Sequence, residues 1–246
     1  MTDQALLPAT PEAARRISRR PSPSFGPLGF TLIELLVVIA VISILAALII
    51  PIGKAVNRRK IVAKARAELA QAQLAIEAYK ASLGHYPPDN SFSPRVNQLY
   101  FELKGTTNTG TTYRTLDGSA EIPMRPVTIQ TYFAGVSGFI NCTQPGGSDE
   151  GRKAKSFLPD LKPGQIGDIS TTAADRVKIL VSSVPWPNDP TFPIPGHPGL
   201  NPVRYNSSSP TNNPGSFDLW IDVIIDGKTN RVSNWSQEPL VVSRPY

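Results

Sequence analysis

The chain has 246 residues, a mass of 26.6 kDa and 25 basic against 19 acidic side chains, a formal charge of +6. At about 150 residues per domain it predicts one or two domains, and 18% charged with 40% hydrophobic residues excludes a disordered polyelectrolyte. A single cysteine, Cys142, excludes an intrachain disulfide and a Cys-based zinc site, and two histidines, His85 and His197, exclude a His-rich metal centre.

In chain order, the first 29 residues carry Arg15, Arg16, Arg19, Arg20 and five prolines. An uncharged run of 19 residues, Leu35 to Gly53, follows. Back to Phe30, only Thr31 and Glu34 are polar. About 20 apolar residues cross a bilayer core, where the backbone must be helical. The apolar core of a cleaved secretory signal is shorter, about 7–15 residues. A buried soluble helix would show a polar face, and only Ser43 interrupts this run. Lys54, Arg58, Arg59, Lys60, Lys64 and Arg66 lie beyond it. Most of the basic excess therefore brackets the apolar segment and suits anionic lipid. Without an accompanying nucleic-acid motif, nucleic acid is not expected as a partner. Pro51 predicts a bend or local melting near the end of the run.

Lys54 to Leu83 has no Pro or Gly and nine alanines, so helix propensity is high. Val62, Ala65, Leu69, Ala72, Ile76, Tyr79 and Leu83 form one apolar stripe at spacings of three and four. Arg66, Glu68, Gln73, Glu77 and Lys80 fall off it and are expected to face water. Gly84 and Pro87–Pro88 predict the stop. A helix over 30–83 would be about 80 Å long at 1.5 Å per residue. Beyond it lie 19 of the 25 prolines. Predicted strands are short: Val127–Phe133, Val177–Val184, and Phe217–Ile225 with a return at Arg231–Trp235 across an Asp226–Gly227 turn. Gly105–Gly118 reads as a polar exposed loop. Asp218, Asp222 and Asp226 read as exposed strand positions, the three tryptophans as core, and Cys142 as a small buried hydrophobe.

The junction Gly29-Phe30-Thr31-Leu32-Ile33-Glu34 closely resembles the processing site of type IV prepilins and type II secretion pseudopilins. The resemblance implies a leader over 1–29, cleavage after Gly29 by a prepilin peptidase, and N-methylation of Phe30. It implies that Glu34 and Pro51 serve assembly, with Glu34 pairing to the new amine of a neighbouring subunit. An alternative for Glu34 is simple solvation at headgroup depth. The implied partners are the peptidase, other pilin or pseudopilin subunits, an inner-membrane assembly platform and lipid. The implied location is the bacterial inner membrane, single-pass, with the C-terminal part periplasmic.

Gly84-His85-Tyr86-Pro87, Pro202-Val203-Arg204-Tyr205, Phe217-Asp218-Leu219-Trp220, Asp226-Gly227 and Asn234-Trp235 resemble segments of the major, G-type pseudopilin. In many relatives that ending is a calcium loop, and Asp226 would carry over as a ligand. The second family aspartate falls near Arg231, which cannot bind a cation, and one extra residue lies between Phe217 and Asp226. No other cofactor is implied. No nucleophile elbow, P-loop or zinc-protease motif occurs, so no enzyme is expected.

The expected fold is α+β and pilin-like. A long N-terminal helix, transmembrane over 30–53 and amphipathic over 54–83, packs on a small antiparallel sheet with proline-rich loops in a domain over 84–246. The expected function is a structural subunit of a pseudopilus or type IV pilus-like filament. The alternative is a binding protein anchored outside the membrane by one uncleaved helix.

Overall fold

The computed structural model describes residues 29–144, 153–158, 161–172 and 175–243; for 48–54, 126 and 127 it describes the backbone alone. The predicted leader lies outside the described residues, apart from Gly29. The chain divides into two units, 1–50 and 51–246.

One helix, α1 (Leu32–Leu83), begins in the first unit and ends in the second. It is helical without interruption through Pro51, so the local melting expected there is absent. Every described side chain from Phe30 to Ala47 is exposed, including Leu36 at 50% and Leu45 at 55%. Among the described residues no helix is long and apolar enough to cross a membrane. The predicted span is therefore not found there. Its last residues, 48–53, are those whose side chains lie outside the description.

In the second unit, the predicted stripe on α1 enters the core. Ala65, Leu69, Ala72, Ile76 and Tyr79 are buried, and Val62 and Leu83 pack against them. Glu68, expected in water, is 9% exposed. Gly84 ends the helix at φ +86° with its N–H on the Lys80 carbonyl (2.8 Å), a conformation cheap only for glycine.

Among the described residues three sheets follow, where one was expected. β1 (Thr106–Asn108), β2 (Thr112–Thr115), β3 (Glu121–Pro123) and β4 (Cys142–Thr143) form a sheet of order β3-β2-β1-β4, with β1 and β4 parallel. It occupies the predicted polar loop. Thr106 and Thr115 are buried there because their hydroxyls find acceptors, Thr106 on the Asn141 carbonyl and Thr115 on Asp117. The short helix α2 (Leu99–Lys104) precedes this sheet. Gly105, at φ +69°, joins them where an added Cβ would lie 2.7 Å from the Lys155 carbonyl oxygen.

The strand expected at Val127–Phe133 is instead helix α3 (Pro126–Tyr132). Proline at the first position presets its backbone. Ile129, Tyr132 and Phe133 are buried at helical spacing. β5 (Ile166–Asp168) and β6 (Lys178–Leu180) pair as a hairpin, with β6 shorter than the predicted Val177–Val184.

The third sheet has order β10-β9-β8-β7: β7 (Arg204–Asn206), β8 (Asp218–Ile225), β9 (Lys228–Ser233) and β10 (Leu240–Val241). All its pairs are antiparallel. The β8–β9 hairpin with its Asp226–Gly227 turn matches the sequence reading. Positive φ at both residues, +51° and +73°, is what a two-residue hairpin turn requires. One face, with Tyr205, Leu219, Ile221, Val223 and Val232, shares a core cluster with Leu69, Ile76 and Tyr79 of α1.

Candidate functional site

The predicted processing residues stand together at the start of α1. Phe30 is 82% exposed. No atom lies within 4 Å of where a Cβ on Gly29 would sit. The Gly29–Phe30 bond is thus open on all described sides. Thr31 caps the helix: its Oγ1 accepts the Glu34 N–H (3.3 Å), and Glu34 Oε2 accepts the Thr31 N–H and hydroxyl, each at 2.8 Å. This is a capping box, in which two orphan donors of the helix end are satisfied reciprocally. The T-x-x-E spacing is its sequence signal, which the reading of Glu34 alone overlooked. The carboxylate is held at the N-terminal end of α1, and Glu34 Oε1 takes no hydrogen bond among the described residues. Pro51 is the twentieth residue of α1 and is not part of this cluster.

Asp226, the proposed calcium ligand, stands alone at the tip of the β8–β9 turn, exposed. Among the described residues no group of three His, Cys, Asp or Glu side chains could hold a metal. The other two aspartates are not exposed positions, as expected from the sequence, but buried ones. Asp218 accepts the backbone N–H groups of Thr211, Asn212 and Asn213, each at 2.9 Å, which organises the loop before β8. Asp222, fully buried, accepts Arg231 through Nε (2.8 Å) and Nη2 (3.1 Å), and Arg204 Nε lies 3.6 Å away. Arg231 is thus taken up by Asp222 across the strand pair. Arg204 is fully buried, and burial pulls its pKa down to about 10 against the opposing attraction of Asp222. The two guanidiniums also face Trp186 (5.9 Å) and Trp220 (5.2 Å). Trp186 and Trp220 are core, as read, while Trp235 is half-buried against Trp220.

Two more buried carboxylates, neither found from sequence, tie the part of α1 beyond residue 50 to the rest of the second unit. Glu68 accepts the Ser182 hydroxyl (2.6 Å) and the Ser183 N–H and hydroxyl. Glu102 accepts Tyr79 OH (2.9 Å) and the N–H groups of Ile140 (2.8 Å) and Asn141 (2.9 Å). Burial pushes the Glu102 carboxyl above the usual range despite these donors. A hydrophobic stripe gives no hint of either partner, since both lie more than twenty residues away in sequence.

Cys142 is buried, and burial pushes its thiol up, which makes it a poor nucleophile. His85 and His197 are exposed or half-exposed loop residues. Among the described residues no nucleophile–base pair is assembled around either.

No curated protein and no solved structure matches the chain. Residues 28–50 match the family described as the prokaryotic N-terminal methylation motif. The open Gly29–Phe30 bond and the capped carboxylate of Glu34 fall inside that match, and this segment of the chain carries a type IV pilin-like prepilin signal.

Proposed function

We propose that the protein is a structural subunit of a type II secretion pseudopilus or a type IV pilus-like filament, processed by prepilin peptidase and assembled through α1. The observation that carries the reading is the methylation motif lying on a helix whose side chains, from Phe30 to Ala47, are exposed all round. An apolar surface of that kind must be covered by lipid or by other helices. The first suits the precursor in the bacterial inner membrane, with the C-terminal part periplasmic; the second suits the filament. Cleavage leaves the capping box intact, because Thr31 keeps its N–H and hydroxyl. Glu34 Oε1 then remains available to the methylated amine of a neighbouring Phe30. A carboxylate in an apolar layer needs such a partner. Likeness to the major, G-type subunit rests on the five short segments alone. No catalytic activity and no metal is assigned to the chain in this reading.

The test is intact mass and N-terminal analysis of the membrane form from the native host. The expected product starts at methylated Phe30 and has 217 residues (246 − 29). An uncut chain starting at Met1 sinks the reading and favours the anchored binding protein. Glu34→Ala is expected to be cut normally yet fail to enter filaments.

A further inference from the structure

We infer that α1 docks on α1 of a second copy of this chain, parallel to it and displaced by 18 residues along the axis, so that Glu77 of one copy meets Arg59 of the next and Leu74 meets Val56. The inference rests on the filament reading above and names a contact outside the apolar segment, wholly in the unit over 51–246. The stripe from Ala65 to Tyr79 gives one side of the helix to the core. On the other side Val56, Arg59, Ala63, Ala70, Leu74 and Glu77 are all exposed, at intervals that return a helix to one face. Val56 and Leu74, at 58% and 73%, are the large apolar side chains that this part of α1 leaves open. Its two carboxylates are Glu68 and Glu77. Glu68 is bound to Ser182 and Ser183, whereas Glu77 takes no hydrogen bond or ion pair among the described residues. Lys64 and Arg66 turn to the carbonyls of Ser183 (3.0 Å) and Gln237. Arg59 has no such acceptor among the described residues.

The two pairs share one interval. Val56 and Leu74 are 18 residues apart, as are Arg59 and Glu77 (74 − 56 and 77 − 59). That is about five turns and about 27 Å of helix, so all four keep nearly the same bearing. One translation therefore sets apolar on apolar and carboxylate on guanidinium together. Ala63 and Ala70, between the pairs, do not hold the axes apart. Unstaggered parallel copies would oppose Arg59 to Arg59 and Glu77 to Glu77. An antiparallel copy that joins Arg59 to Glu77 sets Val56 against Lys80. Only the parallel shift matches both pairs, and copies inserted through one membrane run parallel. A contact between two different patches of the same chain repeats from copy to copy and builds an open filament rather than a closed dimer.

The experiment uses the full chain in its native host, carrying Val56→Cys/Leu74→Cys and treated with bis-maleimidoethane. Cys142 is buried and is not offered to the reagent. A ladder of linked subunits is expected, since each copy joins the next at both ends and about 27 Å separates the two positions within one chain. Neither single-cysteine variant is expected to pass beyond the monomer. Adding Glu77→Arg opposes like charges and is expected to cut the ladder about tenfold. The swap Arg59→Glu/Glu77→Arg is expected to restore it. The melting temperature stays unchanged throughout, because all four side chains lie outside the core. An absent ladder, a ladder indifferent to Glu77→Arg or a swap without rescue overturns the inference. A single adduct of another mass gives the face to a different protein and overturns it too. N-terminal analysis of the same samples separates this outcome from the filament reading. A chain starting at Phe30 without a ladder sinks the stagger alone, and a chain starting at Met1 counts against processing whether or not the ladder forms.

Discussion

Under the proposed processing, the demand on Gly29 lies outside the fold. Its Cβ position is empty and its φ is ordinary, so Gly29→Ala is expected to leave the melting temperature unchanged while blocking cleavage. A variant that is cut at the wild-type rate, read by intact mass, would contradict the processing role. Asp222 is the opposite case. Truncation to alanine leaves Arg204 and Arg231 facing each other without their shared carboxylate. Breaking a buried pair costs about 3–5 kcal/mol, a loss that urea unfolding would register. Asp226 is held at φ +51° by its turn. Asp226→Gly is expected to be neutral, whereas Asp226→Val forces a β-branched residue into that region at about 1–2 kcal/mol. With Arg231 committed to Asp222, adding calcium or EDTA is expected to leave the melting temperature where it is. Asp117 supplies the acid sensitivity. Burial opposes its charge, but donors from Ser119, Lys104 and Thr115 outweigh it and hold the carboxyl well below the usual range. A depressed folded-state pKa gives stability that is present above the unfolded value of about 3.8 and lost as pH falls below it. The melting temperature is therefore expected to drop in that window, and less steeply in Asp117→Asn.

At the scale of elements, α1 shows what periodicity can and cannot tell. Alternate spacings of three and four place Ala65, Leu69, Ala72, Ile76 and Tyr79 in the core, because a helix returns to the same face at that interval. The same geometry put Glu68 in water, and it is instead buried against Ser182 and Ser183. Solvation at a stripe's margin is decided by what packs there, which the helix does not encode. Tyr79 and Glu102 form the second tie. Glu102→Ala leaves the N–H groups of Ile140 and Asn141 without their acceptor. At about 1–3 kcal/mol for each buried orphan, a loss of at least about 2 kcal/mol is expected in denaturant unfolding, and Tyr79→Phe about 1 kcal/mol. The elevated pKa of Glu102 has the sign opposite to Asp117: its contribution is greatest at acid pH and falls as pH rises through the folded value. α3 was misread as a strand because seven residues rich in Val, Thr, Ile, Tyr and Phe satisfy β-propensity. Pro126 at the start was the available counter-signal.

At the scale of the molecule, the exposed apolar stretch over 30–47 is expected to give the full chain an affinity for detergent. In Triton X-114 phase separation it is expected to enter the detergent-rich phase; recovery in the aqueous phase would mean that its apolar surface is covered some other way. The sequence alone was enough for the methylation motif, the buried stripe of α1, the Gly84 stop and the β8–β9 hairpin. Each is written in local terms: a short motif, a repeat of 3.6 residues, a glycine, an Asp-Gly turn. Only the tertiary structure decided that a polar stretch becomes the β1–β2 hairpin and that Asp218 and Asp222 are buried. Those outcomes depend on hydrogen-bond partners distant in sequence. A threonine or aspartate looks the same in a sequence whether water or another strand satisfies it, and the free energy that separates the two cases arises only when the partner arrives.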